Sequence, residues 1–389
     1  MSGDVRHVAE ARHDLRIGVL GGGQLGRMLA LAGVPLGMSF RFLDPSAEAP
    51  ARDVGDLMVA PFTDEHAIDA LAVGLDAATF EFENVPAEIA ARLASRVPTS
   101  PAPIALTIGQ DRLNEKEMFR RLGVGTNAFA AVETREELAG AMEGAVGLPL
   151  VLKTRRMGYD GKGQAVCRTR EESFAAFEAL RPLGSLLAEA FVTFDREVSI
   201  LAVRGHGGMG ESGGAGGTQT RFYPLAQNTH ERGILKVSIA PAPDSAGLQA
   251  QAERAAAAVL DELNYIGVLA IEFFVKDGVL LANEIAPRVH NSGHWTIEGS
   301  VCSQFENHLR AVAGLPLGST AMREACAAMV NLVGHVPPRR ELLAIEGLCV
   351  HLYNKPPRPG RKVGHVTVTG SAARVAETLA QLGQLVKWA

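Results

Sequence analysis

Glu272 lies inside the apolar run Val268–Val275 and Glu284 inside Leu281–Ile285, with Lys276, Asp277 and Gly278 between the two stretches. A carboxylate in so apolar a strand is costly unless it is paired or ligates a cation. With a three-residue turn and Gly278 in the left-handed conformation, Val275 opposes Val279 and the two glutamates share one face as diagonal neighbours. A two-residue turn instead sets Glu272 opposite Asn283 and sends Glu284 to the other face. Two carboxylates and the Asn283 amide oxygen on one hairpin offer hard oxygen ligands for Mg²⁺, which leaves other positions to water and phosphate. The plainer alternative is a pair of strand carboxylates bonded to nearby arginines.

Lys153 ends a second strand-like stretch and is followed by Gly158-Tyr159-Asp160-Gly161-Lys162-Gly163-Gln164. A strand-borne lysine is a fixed positive charge, and a glycine-rich hairpin can close over phosphates through its backbone N–H groups. The run lacks the register of a P-loop; without phosphate to bind, it reads as a surface hairpin beside a solvated lysine. Gly21, Gly23 and Gly26 form G-x-G-x-x-G between a strand and a helix, with Asp44 about twenty residues on, as in dinucleotide-binding turns. The same turn also suits close backbone packing, or another phosphate at a helix N-terminus.

These side chains need elements to hold them. Arg16–Leu20 reads as a buried strand, and Leu25, Met28, Leu29 and Ala32 give helical spacing over Gln24–Ala32. Strands at Ser39–Leu43 and Thr79–Phe82, with a helix at Ala87–Ala94 started by Pro86, predict a parallel sheet wound by helices. Asp111–Leu122 reads as a helix, and Leu148–Lys153 and Ser185–Ala190 as strands around a helix at Glu171–Leu180. Then follow a strand at Glu197–Arg204, a glycine-rich excursion at Gly205–Gly217 expected to point to solvent, and a strand at Thr220–Pro224. Ser245–Leu263 is helical, Tyr265–Val275 with Val279–Ile285 forms a hairpin, and Ser303–Ala313 is a helix.

The chain has 389 residues, which at about 150 per domain predicts two or three domains. Its 38 basic and 43 acidic residues give a net charge of −5, which excludes a global basic field for nucleic acid or anionic lipid. Cys167, Cys302, Cys326 and Cys349 form no CxxC pair, which suits a reducing cytoplasm. Met1–Arg16 is too polar for a signal peptide, and no run of 18 apolar residues occurs. The expectation is a soluble cytoplasmic protein.

The order of segments is more specific than any one of them. Gly21–Met28 (GGGQLGRM), Glu81–Val85 (EFENV), Gln110–Leu113 (QDRL) and Gly158–Gln164 (GYDGKGQ) come first. Phe222–Leu225 (FYPL), Asn228–His230 (NTH), Asn283–Trp295 (NEIAPRVHNSGHW) and Arg358–His365 (RPGRKVGH) follow. Together they resemble the ATP-grasp superfamily, and within it the N5-carboxyaminoimidazole ribonucleotide synthases, bicarbonate-using ligases of purine biosynthesis. The resemblance implies an ATP-grasp fold of mixed α/β and α+β character. It implies a Rossmann-like domain at residues 1–115, a small lid domain at 116–195, and a C-terminal domain with magnesium and substrate sites at 196–389. It also implies ATP and Mg²⁺ as cofactors, a homodimer, and a separate mutase that takes the product.

Residue by residue, the resemblance brings Arg112 and Lys153 to the nucleotide phosphates under a flap of Gly158, Tyr159, Asp160, Gly161, Lys162, Gly163 and Gln164. Glu189, Ala190, Phe191 and Val192 look like the hinge that reads adenine, Glu197 like the ribose acceptor, and His230 like a nucleotide-side position. Glu272 and Glu284, with Asn283, look like the metal ligands, Asn283 and Glu284 also facing ATP. Arg288, His290 and Asn291 are expected beside the γ-phosphate and the acceptor, with Lys355 and Arg361 on the ribonucleotide 5′-phosphate and Gln24 and Glu83 reaching it from the first domain. Strand parity puts Glu81 and Glu83 on one face and so does not choose between them. Tyr159, Asp160, Arg288 and His290 are the candidates for holding bicarbonate and steering proton transfer. A formate-using transformylase is the nearest rival, against which HNSGHW and RPGRKVGH argue. An NAD-dependent oxidoreductase leaves the glutamate hairpin unexplained.

Overall fold

In the computed structural model, which describes residues 14–158, 163–207 and 217–386, the first strands form a four-stranded sheet. Its strands are β1 (Leu15–Leu20), β2 (Met38–Asp44), β3 (Asp56–Val59) and β4 (Ala77–Phe80), in the order β3-β2-β1-β4 and all parallel. Helices α1 (Gln24–Gly33), α2 (Glu65–Ala72) and α3 (Ala87–Ala94) wind it, as the alternation predicts. Two elements, β3 and α2, are additional to the expected ones, although Ile68 and Leu71 give α2 a buried face and Asp64 caps it. Helices α4 (Ile104–Gly109) and α5 (Arg112–Arg121) then lead to a smaller antiparallel sheet. That sheet holds β5 (Phe129–Val132), β6 (Leu150–Thr154), β7 (Gln164–Cys167) and β8 (Leu186–Ala190), ordered β5-β8-β6-β7. It is backed by α6 (Arg135–Glu143), whose Thr134 and Glu137 form a capping box, and by α7 (Arg170–Leu180).

The remaining strands join one antiparallel sheet. These are β9 (Arg196–His206), β10 (Thr218–Phe222), β11 (Ala226–Glu231), β12 (Ile234–Ala240), β13 (Gly267–Lys276), β14 (Val279–Ala286), β15 (Cys326–Val333), β16 (Cys349–Leu352) and β17 (Lys362–Gly370). The order is β14-β13-β9-β11-β12-β15-β17-β16, with β10 paired to β9. Helices α8 (Ala246–Glu262), α9 (Thr296–Gly299), α10 (Gln304–Val312), α11 (Arg339–Leu343) and α12 (Ala372–Leu385) cover it. Most of the expected Gly205–Gly217 excursion lies outside the described residues.

The turn between β13 and β14 corrects the expected register. Lys276 pairs with Val279, so the loop is the two residues Asp277 and Gly278, with φ of 51° and 75°, the geometry of a type I′ hairpin. Glu284 nevertheless stays on the face of Glu272. Phe273 pairs with Ala282 and Glu272 with Glu284, so Asn283 is an extra residue, a bulge. The carboxylates are therefore direct cross-strand partners rather than diagonal neighbours.

The smaller sheet has its own core around Leu138, Leu150, Leu152, Phe177 and Leu186. The first and third sheets share one, in which Ile17, Leu29 and Phe40 pack with Leu201, Trp295, Phe305 and Leu309. Gly33 permits this approach, since an added Cβ would lie 2.8 Å from Leu309 Cδ1. Fully burying a leucine or phenylalanine contributes about 1.5–3 kcal/mol.

His308 of α10 ties the same two sheets together. The Val268 N–H donates to its Nδ1 at 3.1 Å, so its Nε2–H donates to Thr79 Oγ1 at 2.8 Å. Burial lowers its pKa from 6.5 to about 4. Between these values the unfolded chain binds a proton that the folded chain rejects, so stability is full above pH 6.5 and falls as pH drops toward 4. Urea unfolding at pH 5 should show about 2 kcal/mol less stability from this residue than at pH 7. The His308→Gln variant should lose that part of the slope. A wild-type profile flat over this range would contradict the assignment.

Candidate functional site

The polar face of the third sheet, the smaller sheet and the first sheet's loops enclose two adjoining clefts. The larger has a volume of about 370 Å³ and the smaller about 190 Å³. Arg112, Glu284, His290, Asn291 and Lys362 line both, so these residues form the wall where the clefts meet.

In the larger cleft, Lys153 at the end of β6 and Glu189 at the end of β8 are paired at 3.1 Å. Lys116 of α5 stands 3.5 Å from the same carboxylate, and Asn127 Nδ2 donates to it at 2.9 Å. Burial alone would raise Glu189, but Lys153 and Lys116 hold it at about 2. Burial lowers the Lys116 pKa from its ordinary value while Glu189 and Glu115 oppose that shift, so the three groups form one interacting buried cluster. The mouth is apolar: Phe194 and Phe274 stack at 4.6 Å beside Phe191, Val192, Val151 and Val166, a surface suited to a flat ring. Ala190 and Phe191 donate their N–H groups to Ala128 and Pro149 carbonyls, so the hinge amide left for a ligand is that of Val192. Gln164 lines this cleft as well, and Gly158 lines the smaller one. Tyr159, Asp160, Gly161 and Lys162 lie outside the described residues.

Glu197 and His230, neighbours across the β9–β11 pair, bond to each other in the larger cleft. Burial would lower His230, but Glu197 and Glu272 raise it. Burial and the Glu284 charge raise Glu272 to about 7. That conflict between opposed carboxylates is relieved by a divalent cation, so the donor set fits Mg²⁺. Among the described residues no group of three or more His, Cys, Asp and Glu side chains is arranged for a metal ion. A cation on Glu272 and Glu284 would thus take its other ligands from the Asn283 bulge, phosphate and water.

Arg112 stands at the junction because α5 is fixed at its first turn. Asp111 caps the helix through the Leu113 N–H and holds Arg155 by two hydrogen bonds of 2.9 and 2.8 Å. Arg112 itself reaches Glu284 at 3.1 Å and the Gly158 carbonyl at 3.2 Å. Further along α5, Glu115 accepts the Ile285 N–H and Lys116 donates to the Ala282 carbonyl at 3.0 Å. Both satisfy backbone groups on the outer edge of β14. Burial and Glu284 raise Glu115 to about 8.

In the smaller cleft Glu83 pairs with Arg288, beside Gln24. Strand parity fails here because β4 ends at Phe80, and Glu81 turns under α1 instead. Its carboxylate accepts the N–H groups of Gly23 at 2.7 Å and Gly26 at 3.2 Å, while Asp44 accepts that of Gly22 at 2.8 Å. The glycine turn therefore binds the protein's own acids where a dinucleotide would place its pyrophosphate. A Cβ on Gly23 would lie 2.7 Å from Glu81 Oε1, so the glycine is needed for this internal bond.

Asn291 lines both clefts, and its side-chain oxygen and nitrogen are buried without a partner, the state of a group that a ligand completes. Lys355 bonds Gln24 Oε1, and burial lowers it to about 8. Neither Lys355 nor Arg361 is among the residues that line the clefts; the two cations remain neighbours, Arg361 donates to the Pro356 carbonyl at 3.3 Å, and the adjacent Lys362 lines both clefts. Sequence reasoning missed Lys116, Asn127, Glu115 and Lys362. Arg112, Glu115 and Lys116 at helical i, i+3, i+4 spacing with buried Phe119 was a usable signal of buried charge; Asn127 offered none.

Family models match along the chain: a ribonucleotide synthetase preATP-grasp domain at residues 15–110, an ATP-grasp domain at 117–305, and a phosphoribosylaminoimidazole carboxylase C-terminal domain at 327–378. The N5-carboxyaminoimidazole ribonucleotide synthase of Pseudomonas aeruginosa is 52% identical, over 93% of this chain and 98% of the relative. The crystal structure of the corresponding synthetase from Thermus thermophilus aligns with a TM-score of 0.89 at 54% identity, covering 96% of this chain and 99% of that one. The Aspergillus clavatus enzyme in complex with ADP and 5-aminoimidazole ribonucleotide aligns at 0.86 with 31% identity, covering 96% and 99%.

Proposed function

The chain belongs to the N5-carboxyaminoimidazole ribonucleotide synthase family of ATP-grasp enzymes, and we propose that ATP occupies its larger cleft and 5-aminoimidazole ribonucleotide the smaller. It is an ATP-dependent carbon–nitrogen ligase. The reaction converts ATP, bicarbonate and the ribonucleotide to ADP, phosphate and the N5-carboxylated product of purine biosynthesis. The observation that carries the two-site reading is the shared wall of Arg112, Glu284, His290, Asn291 and Lys362, where groups from both clefts can meet.

The adenine ring lies against Phe194 and Phe274 with the Val192 N–H toward it, and Glu197 takes the ribose hydroxyls. Lys153 and Arg112 supply positive charge to the phosphates. Bound Mg²⁺, held by Glu272 and Glu284 with Asn283 beside them, would neutralise charge on the transferred phosphoryl group. Bicarbonate attacks the γ-phosphorus to give carboxyphosphate, whose CO₂ is captured by the exocyclic amine. Arg288, His290 and Asn291 hold these oxyanions at the junction, from which water must be excluded. Gln24, Glu83, Lys355, Arg361 and Lys362 surround the ribonucleotide, with Lys355 and Arg361 toward its 5′-phosphate.

The reading includes three units divided near residues 115 and 196, a cytoplasmic homodimer, and transfer of the product to a separate mutase. Light scattering checks the dimer. Phosphate release from ATP should require both bicarbonate and aminoimidazole ribonucleotide. Turnover with formate and glycinamide ribonucleotide instead, or NADH oxidation without ATP use, would overturn it.

A further inference from the structure

His290 sits at the junction of the clefts, and its ring is held by hydrogen bonds that determine which nitrogen carries the proton. The backbone N–H of Ser292 points at His290 Nδ1 at 3.3 Å, where the ring nitrogen caps the short 3₁₀ turn Asn291–Gly293. A backbone amide can only donate, so Nδ1 must accept and the ring proton resides on Nε2.

The same constraint propagates outward. Ser292 Oγ lies 2.8 Å from Nδ1 and therefore donates to it, leaving its oxygen to accept from Ser199 Oγ at 2.8 Å. Ser199 in turn accepts from Asn228 Nδ2 at 2.9 Å, and Asn228 Oδ1 accepts from Ser238 Oγ at 2.7 Å. All four side chains are buried. They cross β9, β11 and β12, so the relay is anchored in the sheet and not in a mobile loop. Every donor points the same way and each bond polarises the next. At the far side of the ring, Nε2 is 3.6 Å from Glu272 Oε1, too long for a hydrogen bond.

We propose that His290 serves as a hydrogen-bond donor to an oxyanion at the junction, not as the proton acceptor, and that Ser292, Ser199, Asn228 and Ser238 are the positioning residues that enforce this. The oxyanion is a carboxylate or phosphoryl oxygen of the reacting group, a consequence that rests on the ligase reading; the tautomer itself does not. The proton lost by the attacking amine is then taken by the phosphate that leaves as carboxyphosphate releases CO₂.

Long-range proton–nitrogen correlation spectra of the ¹⁵N-histidine-labelled full chain, free of substrates, read the tautomer directly. The His290 signals are identified by their loss in the His290→Gln variant. Nε2 should be protonated and Nδ1 bare; a protonated Nδ1 would overturn the proposal. Kinetically, His290→Gln keeps an N–H donor but no base, so it should turn over about tenfold faster than His290→Ala. Equal loss in both would overturn the donor role. Ser292→Ala and, independently, Ser199→Ala should lower kcat about five- to tenfold with an unchanged KM for ATP. Unchanged kcat in both well-folded variants would remove the relay. Failure of the ligase reading looks different: no bicarbonate- and ribonucleotide-dependent phosphate release, with the tautomer still as stated.

Discussion

The Glu284→Ala variant should lose turnover by at least about a thousandfold while its melting temperature stays within a few degrees of wild type. Two features separate these effects. The Glu284 side chain is 42% exposed and faces both clefts, so little packing is lost on truncation. Its carboxylate, however, is one of the two that would hold the metal against the phosphates, and Glu272 alone is a poor site. Removing Glu284 also removes the charge that helps raise Glu272 and Glu115, so both should titrate closer to ordinary carboxylates. Calorimetry of ATP binding with and without Mg²⁺ checks the cause. Mg²⁺ should tighten binding to the wild type and have little effect on the variant. A near-normal rate would remove the metal assignment.

Replacing Lys153 by methionine should raise the KM for ATP about ten- to a hundredfold and also destabilise the fold. The first effect follows from losing a charge-assisted bond to the nucleotide. The second follows from Glu189, which Lys153 helps to hold at about 2 and which is left with Lys116 and Asn127. Breaking a buried pair costs about 3–5 kcal/mol, and the surviving partners favour the low end. The two effects separate in the double variant Lys153→Met/Glu189→Gln. The amide removes the unmatched negative charge, so stability should recover in urea unfolding while the KM for ATP remains high. Recovery of both would show that Lys153 acts only by holding Glu189.

How far the site could be read beforehand differs between residues for physical reasons. Lys153, Glu272 and Glu284 were conspicuous because a charge inside an apolar strand needs a partner, a constraint visible in one dimension. The hairpin register was not, because the turn length and the bulge at Asn283 together set which face Glu284 takes. Glu81 and Glu83 looked equivalent by alternation, yet the strand ends one residue before Glu81, and the two carboxylates serve α1 and the smaller cleft respectively. Lys355 and Arg361 carry similar charge in the same proline-rich loop. Only the folded chain shows that Arg361 donates to the Pro356 carbonyl and that the adjacent Lys362 reaches the junction.

By itself, the order of motifs determined the fold class and the nucleotide chemistry through its resemblance to the ATP-grasp ligases, while local pattern marked the glycine turns and the charges set in apolar strands. The tertiary structure decided what distant segments do to one another. It filled the glycine turn with Glu81, set Lys116 beside Glu189, left Asn291 without a partner, and aimed the Ser292 amide at His290. Periodicity carries burial and local conformation. Hydrogen-bond direction and charge pairing between segments far apart in sequence depend on packing in three dimensions.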